Sequence, residues 1–230
     1  MMTYRKHFVA LVSAGALLGG AFSLNAAEAA PAPASGGDKA AVVVPLKAMP
    51  FALQDVRLLA GPFKSAQDIN NRFLLQVQPD RLLAGFRQEA GLKPKGQRYG
   101  GWEAREIHGH GLGHYLSAVA IAYAATGDPK LLERVNYIVD ELAACQDANT
   151  NGYVAPIPQR IYRDIAAGKI KAQPFSLNDY WVPNYTLHKI FAGLHDAYAY
   201  AGSQKALQIE IKLANWLDGI LSGLTPDQIQ

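Results

Sequence analysis

The fold is decided by two stretches of sequence, LGHYLSAVAIAYAATGDPKLLERVNYIVDEL at residues 112–142 and LHKIFAGLHDAYAYAGSQKALQIEIKLANWL at residues 187–217. They align without a gap at an offset of 75 residues. Each stretch predicts an apolar, alanine-rich helix, a tight turn at glycine and a second, more amphipathic helix. The identical pairs are Leu112/Leu187, Ala122/Ala197, Tyr123/Tyr198, Ala124/Ala199, Gly127/Gly202, Lys130/Lys205, Leu132/Leu207 and Leu142/Leu217.

The turn residues in both copies favour a helical hairpin. Gly127 and Gly202 suit the position just after a helix, where a positive φ is needed. Asp128 and Ser203 suit the N-cap of the following helix, and Pro129 suits its first position because the missing N–H costs nothing there. Each copy is therefore predicted to be an αα-hairpin.

The two helices of a hairpin differ in their expected burial. The first helix is apolar or small nearly all round, as in residues 119–124, which is typical of an inner helix. The second carries a charged face and is predicted to be outer, with that face in solvent. Repeated inner and outer hairpins indicate an all-α toroid or solenoid. The charged face consists of Lys130, Glu133, Arg134, Asp140 and Glu141.

Composition excludes several classes of protein. The chain has 230 residues, of which 50% are hydrophobic and 18% charged, and this excludes a disordered polyampholyte. A net charge of +3 is too small to suggest a nucleic-acid partner. The single cysteine, Cys145, excludes a disulfide framework and a multi-cysteine metal site built from this chain alone. No histidine stands near it in the sequence, so we interpret Cys145 as a small buried hydrophobic residue.

The N-terminus has the features of a secretory signal over residues 1–30. Arg5 and Lys6 give the positive region, residues 8–24 the apolar run, and residues 27–29 an Ala-x-Ala cleavage site. An uncleaved membrane anchor is the alternative, although the run is short and rich in glycine. We therefore expect a periplasmic or secreted protein with no stable membrane anchor after cleavage. Residues 31–50 are expected to be a flexible linker and an extended lead-in.

Other segments complete the predicted organisation. Residues 42–62 are expected to be extended with one short strand, a helix is expected from Ser65 until Pro79 ends it, and a second over residues 80–89. The connection at residues 147–183 is rich in aromatics, which form either a binding surface or a local core. Residues 225–228 carry a capping-box pattern for a further helix, and we expect the chain to be the front portion of a longer protein.

The densest polar cluster is GGWEAREIHGHGLGHY at residues 100–115, directly before the first inner helix. Its three alternating glycines suggest a mouth where the backbone approaches a ligand or another segment. Three interpretations remain open. His110 and His114 could share a metal, or they could bind sugar hydroxyls beside Trp102, or buried carbonyls could satisfy them. Glu103 and Glu106, the acids in this cluster, could each pair with Arg98 or Arg105.

The second inner helix is preceded by an equivalent cluster, WVPNYTLHK at residues 181–189, which contains Tyr185 and His188. Both polar clusters lie at the N-terminal end of their inner helices. We therefore expect them to converge on the axis of the toroid, where a pocket belongs. His195, one heptad beyond His188, is predicted to be a core histidine.

Five segments together resemble the N-terminal part of the β-L-arabinofuranosidase family, glycoside hydrolase families 127 and 146. The similarity runs from about residue 56 to residue 220, and the forms GHGLGHYLSA and YTLHKIFAGL bring it closer to the family 146 branch. Ala60 is a departure, since aspartate is expected before Gly-Pro-Phe. The segments are VRLLAGPFKSAQDINNRFL at 56–74, PDRLLAGFRQEAGL at 79–92, YGGWEAREIHGHGLGHYLSA at 99–118, TGDPKLLERVNYIVDELAACQ at 126–146 and VPNYTLHKIFAGLHDAY at 182–198.

The resemblance implies that residues 51–230 are the N-terminal portion of an (α/α)6-barrel catalytic domain of the six-hairpin glycosidase type, truncated before its end. It implies a retaining exo-hydrolase that releases β-linked L-arabinofuranose through a zinc-bound cysteine thiolate, with a glutamate as acid/base. These catalytic groups are expected downstream, so zinc belongs to the full-length protein and this chain holds neither catalytic residues nor metal ligands. What carries over is a substrate-binding wall, formed by Trp102, Glu103, His110, His114, Tyr185 and His188.

The sequence therefore predicts an exported glycoside hydrolase fragment that acts on plant glycans or glycoproteins and is inactive alone. Its expected partner is a carbohydrate substrate. Two alternatives stay open at this point. One is a carbohydrate-binding remnant without catalysis, and the other is a six-hairpin hydrolase or lyase acting on another plant or uronic-acid polysaccharide.

Overall fold

The computed structural model describes residue 48 and residues 50–229, and residues 50–229 belong to one compact unit. The predicted signal at 1–30 and nearly all of the predicted linker at 31–50 lie outside the described residues. The all-α prediction is confirmed, with one minor sheet added. The helices are α1 Pro62–Gln76, α2 Pro79–Glu89, α3 His110–Thr126, α4 Pro129–Asn149, α5 Arg160–Ala166, α6 Pro183–Ala201, α7 Gln204–Leu221 and α8 Pro226–Ile229.

Both predicted hairpins are present, α3 with α4 and α6 with α7. The turn glycines Gly127 and Gly202 have φ values of 73° and 70°, as the position requires. The Asp128 carboxylate accepts a hydrogen bond of 2.9 Å from the amide of Lys130, and Ser203 caps α7 through its hydroxyl. These local signals place each turn at the predicted residue.

The inner helices α3 and α6 pack directly against each other at two glycines. A Cβ added at Gly193 would lie 2.7 Å from the carbonyl oxygen of Gly113. A Cβ added at Gly113 would overlap the carbonyl group of Lys189 and lie 3.0 Å from the amide nitrogen of Ile190. The helices therefore approach to backbone contact, which only residues without a side chain permit.

The outer helix α4 differs from the prediction in how it uses its charges. Glu141 is buried and accepts hydrogen bonds from Arg87 at 2.7 Å and Lys95 at 2.5 Å. Arg134 donates to the carbonyl oxygens of residues 75 and 77 at the end of α1 and to the hydroxyl of Tyr115. The expectation that Arg134 and Glu141 lie on a solvated face is wrong, because α1 and α2 cover that part of α4.

The lead-in segment also departs from the prediction. Leu53–Asp55 forms a 3-10 turn, and the described residues 50–61 contain no strand, while residues 42–47 lie outside the described part. Helix α1 begins at Pro62, three residues before the predicted start, because proline is favourable in the first turn. Pro79 opens α2 for the same reason.

The connection between the hairpins folds into α5 and a three-stranded antiparallel sheet in the order β1 Ala172–Gln173, β2 Ser176–Leu177, β3 Tyr180–Trp181. Tyr153, Tyr162 and Tyr180 are buried, and the rings of Tyr153 and Trp216 lie 4.4 Å apart. Most of the aromatics in the connection therefore form a local core, whereas Phe175 is 78% exposed. Among the described residues, no helix combines the length and the apolar character needed to cross a membrane.

Candidate functional site

The carboxylate of Glu103 caps the N-terminus of α3. One oxygen accepts a hydrogen bond of 2.9 Å from the amide of Gly109, and the other accepts one of 3.0 Å from the amide of Gly111. These N–H groups belong to the first turn of α3 and have no partner within the helix. Glu103 therefore caps α3 from a buried position, and within residues 50–229 no arginine pairs with it.

Each of the three alternating glycines in the entrance is required by a different neighbour. Gly109 has a φ of 93°, and a Cβ there would overlap the ring of Pro156. A Cβ at Gly111 would lie 2.5 Å from the Glu103 carboxylate. Gly113 touches the backbone of α6, as described above. The expected close approach of the backbone is therefore to other parts of the chain.

His110 is the first residue of α3, and it contacts both the capping carboxylate of Glu103 and the exposed ring of Trp102. Its Nδ1 lies 2.8 Å from the carbonyl oxygen of Ile107 and 3.3 Å from a carboxylate oxygen of Glu103. Because both are acceptors, Nδ1 carries the proton, and Nε2 is left for another partner. The ring of Trp102, 62% exposed, lies 5.8 Å from the His110 ring.

His114 lies one turn further along α3, and its ring is 6.1 Å from that of His110. Its Nε2 is 3.4 Å from the hydroxyl of Tyr185, which lies in the first turn of α6. Partial burial lowers the pKa of His114, and the nearby positive charges of Lys189 and, when protonated, His110 and His188 lower it further. His114 is therefore neutral near pH 7 and can both donate and accept.

Tyr185 links this cluster to a groove beside α6. Its ring lies 6.0 Å from that of His110, and it also lines a groove of about 740 Å³ together with His188. The groove runs between α6, the sheet and the C-terminal residues. Of the six predicted wall residues, Trp102, His110, His114 and Tyr185 form one continuous group, which we call the aromatic cluster. His188 lies beside it, and Glu103 lies beneath it.

Two residues of α6, His195 and Lys189, differ from what the sequence predicted. His195 is 62% exposed and its Nδ1 lies 3.5 Å from Glu210 on α7, so the prediction of a core histidine is wrong. Leu194 and Ala197 take the buried positions on that part of α6. Lys189 was not predicted, yet its Nζ lies 5.0 Å from the centre of the Tyr185 ring. Its spacing of four residues from Tyr185 on one helix was the available signal.

The chemistry of this arrangement is that of binding. The imidazoles and a phenol supply donors and acceptors, and the rings supply apolar faces, as in sites for polyhydroxylated ligands. Within the described part of the chain, no three His, Cys, Asp or Glu side chains gather where they could hold a metal ion. The interpretation that backbone carbonyls satisfy the histidines holds for Nδ1 of His110, which lies 2.8 Å from the Ile107 carbonyl oxygen. Substrate binding by the six residues stays a prediction.

Cys145 lies outside the aromatic cluster, on the buried face of α4. Burial raises its pKa to about 11, so it is a neutral thiol at physiological pH and a poor nucleophile. This agrees with its interpretation as a small buried hydrophobic residue.

Comparison with known proteins gives one family. The family model described as "Beta-L-arabinofuranosidase, GH127 catalytic domain" matches residues 55–230. The fold of that domain is an (α/α)6 barrel, to which the hairpins α3–α4 and α6–α7 correspond. No curated protein matches the chain.

Proposed function

Because the chain belongs to the β-L-arabinofuranosidase family of glycoside hydrolases through its GH127 catalytic domain, we propose that the aromatic cluster binds a terminal β-linked L-arabinofuranose. The substrate would be a plant glycan or glycoprotein. The observation that carries this proposal is the meeting of His110, His114 and Tyr185 from two inner helices beside an exposed Trp102.

Each member of the aromatic cluster has a role that its contacts support. Nε2 of His110 can accept a hydrogen bond from a sugar hydroxyl, because Nδ1 donates to the Ile107 carbonyl. The His114 imidazole and the Tyr185 hydroxyl, 3.4 Å apart, can each exchange a hydrogen bond with a sugar hydroxyl. Trp102 offers an exposed ring against which the apolar face of a furanose can pack. Glu103 acts indirectly by fixing the start of α3.

We place the bond-breaking chemistry outside these residues. A zinc-bound thiolate needs several cysteines or other ligands around one ion. Cys145 is the single cysteine in the sequence, it is buried, and its pKa is raised. The donor set of the described chain therefore does not fit the zinc centre, and we derive no catalytic step through it. The 230-residue chain alone is expected to bind without hydrolysing.

Binding is tested by titrating the chain with methyl β-L-arabinofuranoside in a calorimeter. We expect H114A and Y185F each to weaken binding about tenfold, since a lost hydrogen bond of about 1.4 kcal/mol corresponds to that factor. The matched control is H195A, which removes an exposed imidazole outside the aromatic cluster. Equal affinities for H114A and the wild type would refute the site.

Catalysis is tested with p-nitrophenyl β-L-arabinofuranoside. We expect no release of p-nitrophenol by this chain and release by a longer protein that carries a downstream cluster of cysteine and glutamate. Turnover by the 230-residue chain would contradict the placement of the chemistry. A longer protein that binds without turnover would favour the second candidate, a carbohydrate-binding remnant, which the lone unreactive Cys145 also supports.

We further propose that the protein is exported to the periplasm or beyond. The support is the leader-like sequence at residues 1–30. Amino-terminal sequencing of the mature protein is expected to begin just after the Ala-Glu-Ala site at residues 27–29. A mature protein that begins at Met1 would refute export by cleavage.

A further inference from the structure

A second cavity has a different chemistry, and most of its lining residues flank the aromatic cluster in the sequence. It has a volume of about 600 Å³, enough for a sugar residue. Its polar walls come from Arg98, from the segment between Trp102 and His110, and from strand β3. The lining residues used below are Arg98, Arg105, Glu106, His108, Tyr180 and Trp181.

The two arginines give this cavity positive charge. Among the described residues, no carboxylate lies within 4.0 Å of the guanidinium of Arg98 or Arg105. Glu106 is the one carboxylate in the lining, and it accepts a hydrogen bond of 3.3 Å from the backbone amide of Trp181. Burial lowers the pKa of His108, so this side chain is neutral. With two arginines and one glutamate, the lining therefore has a net charge of +1.

Tyr180 supplies an independent observation. It is only 5% exposed, and its hydroxyl has no hydrogen-bond partner among the described residues. Burial raises the pKa of Tyr180, and the negative charge of Glu106 raises it further. The hydroxyl therefore keeps its proton and remains a donor. A buried donor without an acceptor is unfavourable, and an acceptor brought within hydrogen-bond distance of this hydroxyl would relieve the cost.

We propose that this cavity binds the carboxylate of a uronic-acid residue, so that the substrate of the aromatic cluster is an arabinose carried on an acidic glycan. Planar guanidinium groups suit a carboxylate, since they present paired donors to its two oxygens. Trp181, half-buried at the wall, gives the sugar ring an aromatic face that a free inorganic anion does not need. This inference rests on the proposed function and names its substrate class.

The test is calorimetric titration of the full chain with trigalacturonate, with neutral galactotriose and inorganic phosphate as separate arms. We expect trigalacturonate to bind at least tenfold more tightly than either. R98M and R105M, which keep the unbranched apolar stem of the side chain but remove the guanidinium group, are expected to lose about tenfold in affinity. R72M, an exposed arginine on α1, is the matched control and is expected to bind as the wild type does.

Y180F separates binding from a structural role. Because the hydroxyl lacks a partner in the fold, Y180F is expected to keep or raise the melting temperature while it weakens trigalacturonate binding. A lower melting temperature, or unchanged affinity in both arginine variants, would overturn the proposal. Equal binding of phosphate or galactotriose would overturn the choice of a sugar acid. The arabinoside titration with H114A is read separately, so failure of the aromatic cluster is distinguishable from failure of this cavity.

Discussion

The contact between the inner helices can be tested by adding one methyl group at a time. In G193A the new Cβ would lie 2.7 Å from the carbonyl oxygen of Gly113, and relief to about 3.4 Å requires the backbones to separate by about 0.7 Å. In G113A the Cβ would overlap the Lys189 carbonyl itself, so a larger separation is needed. Alanine is intrinsically better than glycine in a helix by about 1 kcal/mol, whereas overpacking costs about 1–3 kcal/mol.

We therefore expect the free energy of unfolding to fall by about 1 kcal/mol in G193A and by about 2 kcal/mol or more in G113A. The matched control is G219A on α7, where a Cβ meets no atom within 4 Å and the φ is ordinary. This control should gain up to about 1 kcal/mol from helix propensity alone. Urea titration of the four proteins gives the order directly. If G113A is as stable as G219A, the helices do not touch at these glycines.

Four further predictions each concern one or two side chains. E103A leaves the buried amide of Gly109 and the partly buried amide of Gly111 without an acceptor and should lower the unfolding free energy by about 2 kcal/mol or more, with E103Q intermediate. Because a Cβ at Gly111 meets the Glu103 carboxylate, G111A should be less damaging in the E103A background, which a double-mutant cycle in urea measures; additive losses would contradict the contact. Burial lowers the pKa of His108 below its ordinary value of 6.5, so as the pH falls the unfolded state takes up a proton before the folded state does, and the free energy of unfolding declines. H108Q should flatten this decline in thermal melts between neutral pH and pH 5. An unchanged dependence of stability on pH would refute the prediction. Cys145, with a pKa of about 11, should resist Ellman's reagent at neutral pH until urea is added, and rapid labelling of the folded chain would show that it is not buried.

Local signals in the sequence were sufficient for the hairpins and their turns. Gly127 and Gly202 were predicted from the φ that a helix end needs, and both lie there. One of the two hydrogen bonds of the predicted capping box at residues 225–228 is also present, since the Thr225 amide donates to the side chain of Gln228 at 2.9 Å. Caps and turns depend on atoms within a few residues of each other, so a single sequence contains the information.

Side-chain partners from distant segments were not predictable in the same way. Arg134 and Glu141 have the spacing of a solvated helix face, and only the packing of α1 and α2 against α4 buries them. His195 stands on α6 at a position that periodicity alone assigned to the core, yet it is exposed. Periodicity gives the face of a helix and does not specify which neighbour, if any, covers it.

The geometry of the aromatic cluster depends on the contact of the inner helices more than on the side chains themselves. His114 and Tyr185 come from different helices, so their distance of 3.4 Å is set by how closely α3 and α6 approach. That approach is fixed at Gly113, one residue before His114, against the backbone of Lys189, four residues after Tyr185. Glu103 fixes the same end of α3 through the amides of Gly109 and Gly111. A methyl group at Gly113 would therefore move the two polar groups apart without changing either, so G113A should weaken arabinoside binding while leaving trigalacturonate binding at the second cavity less affected.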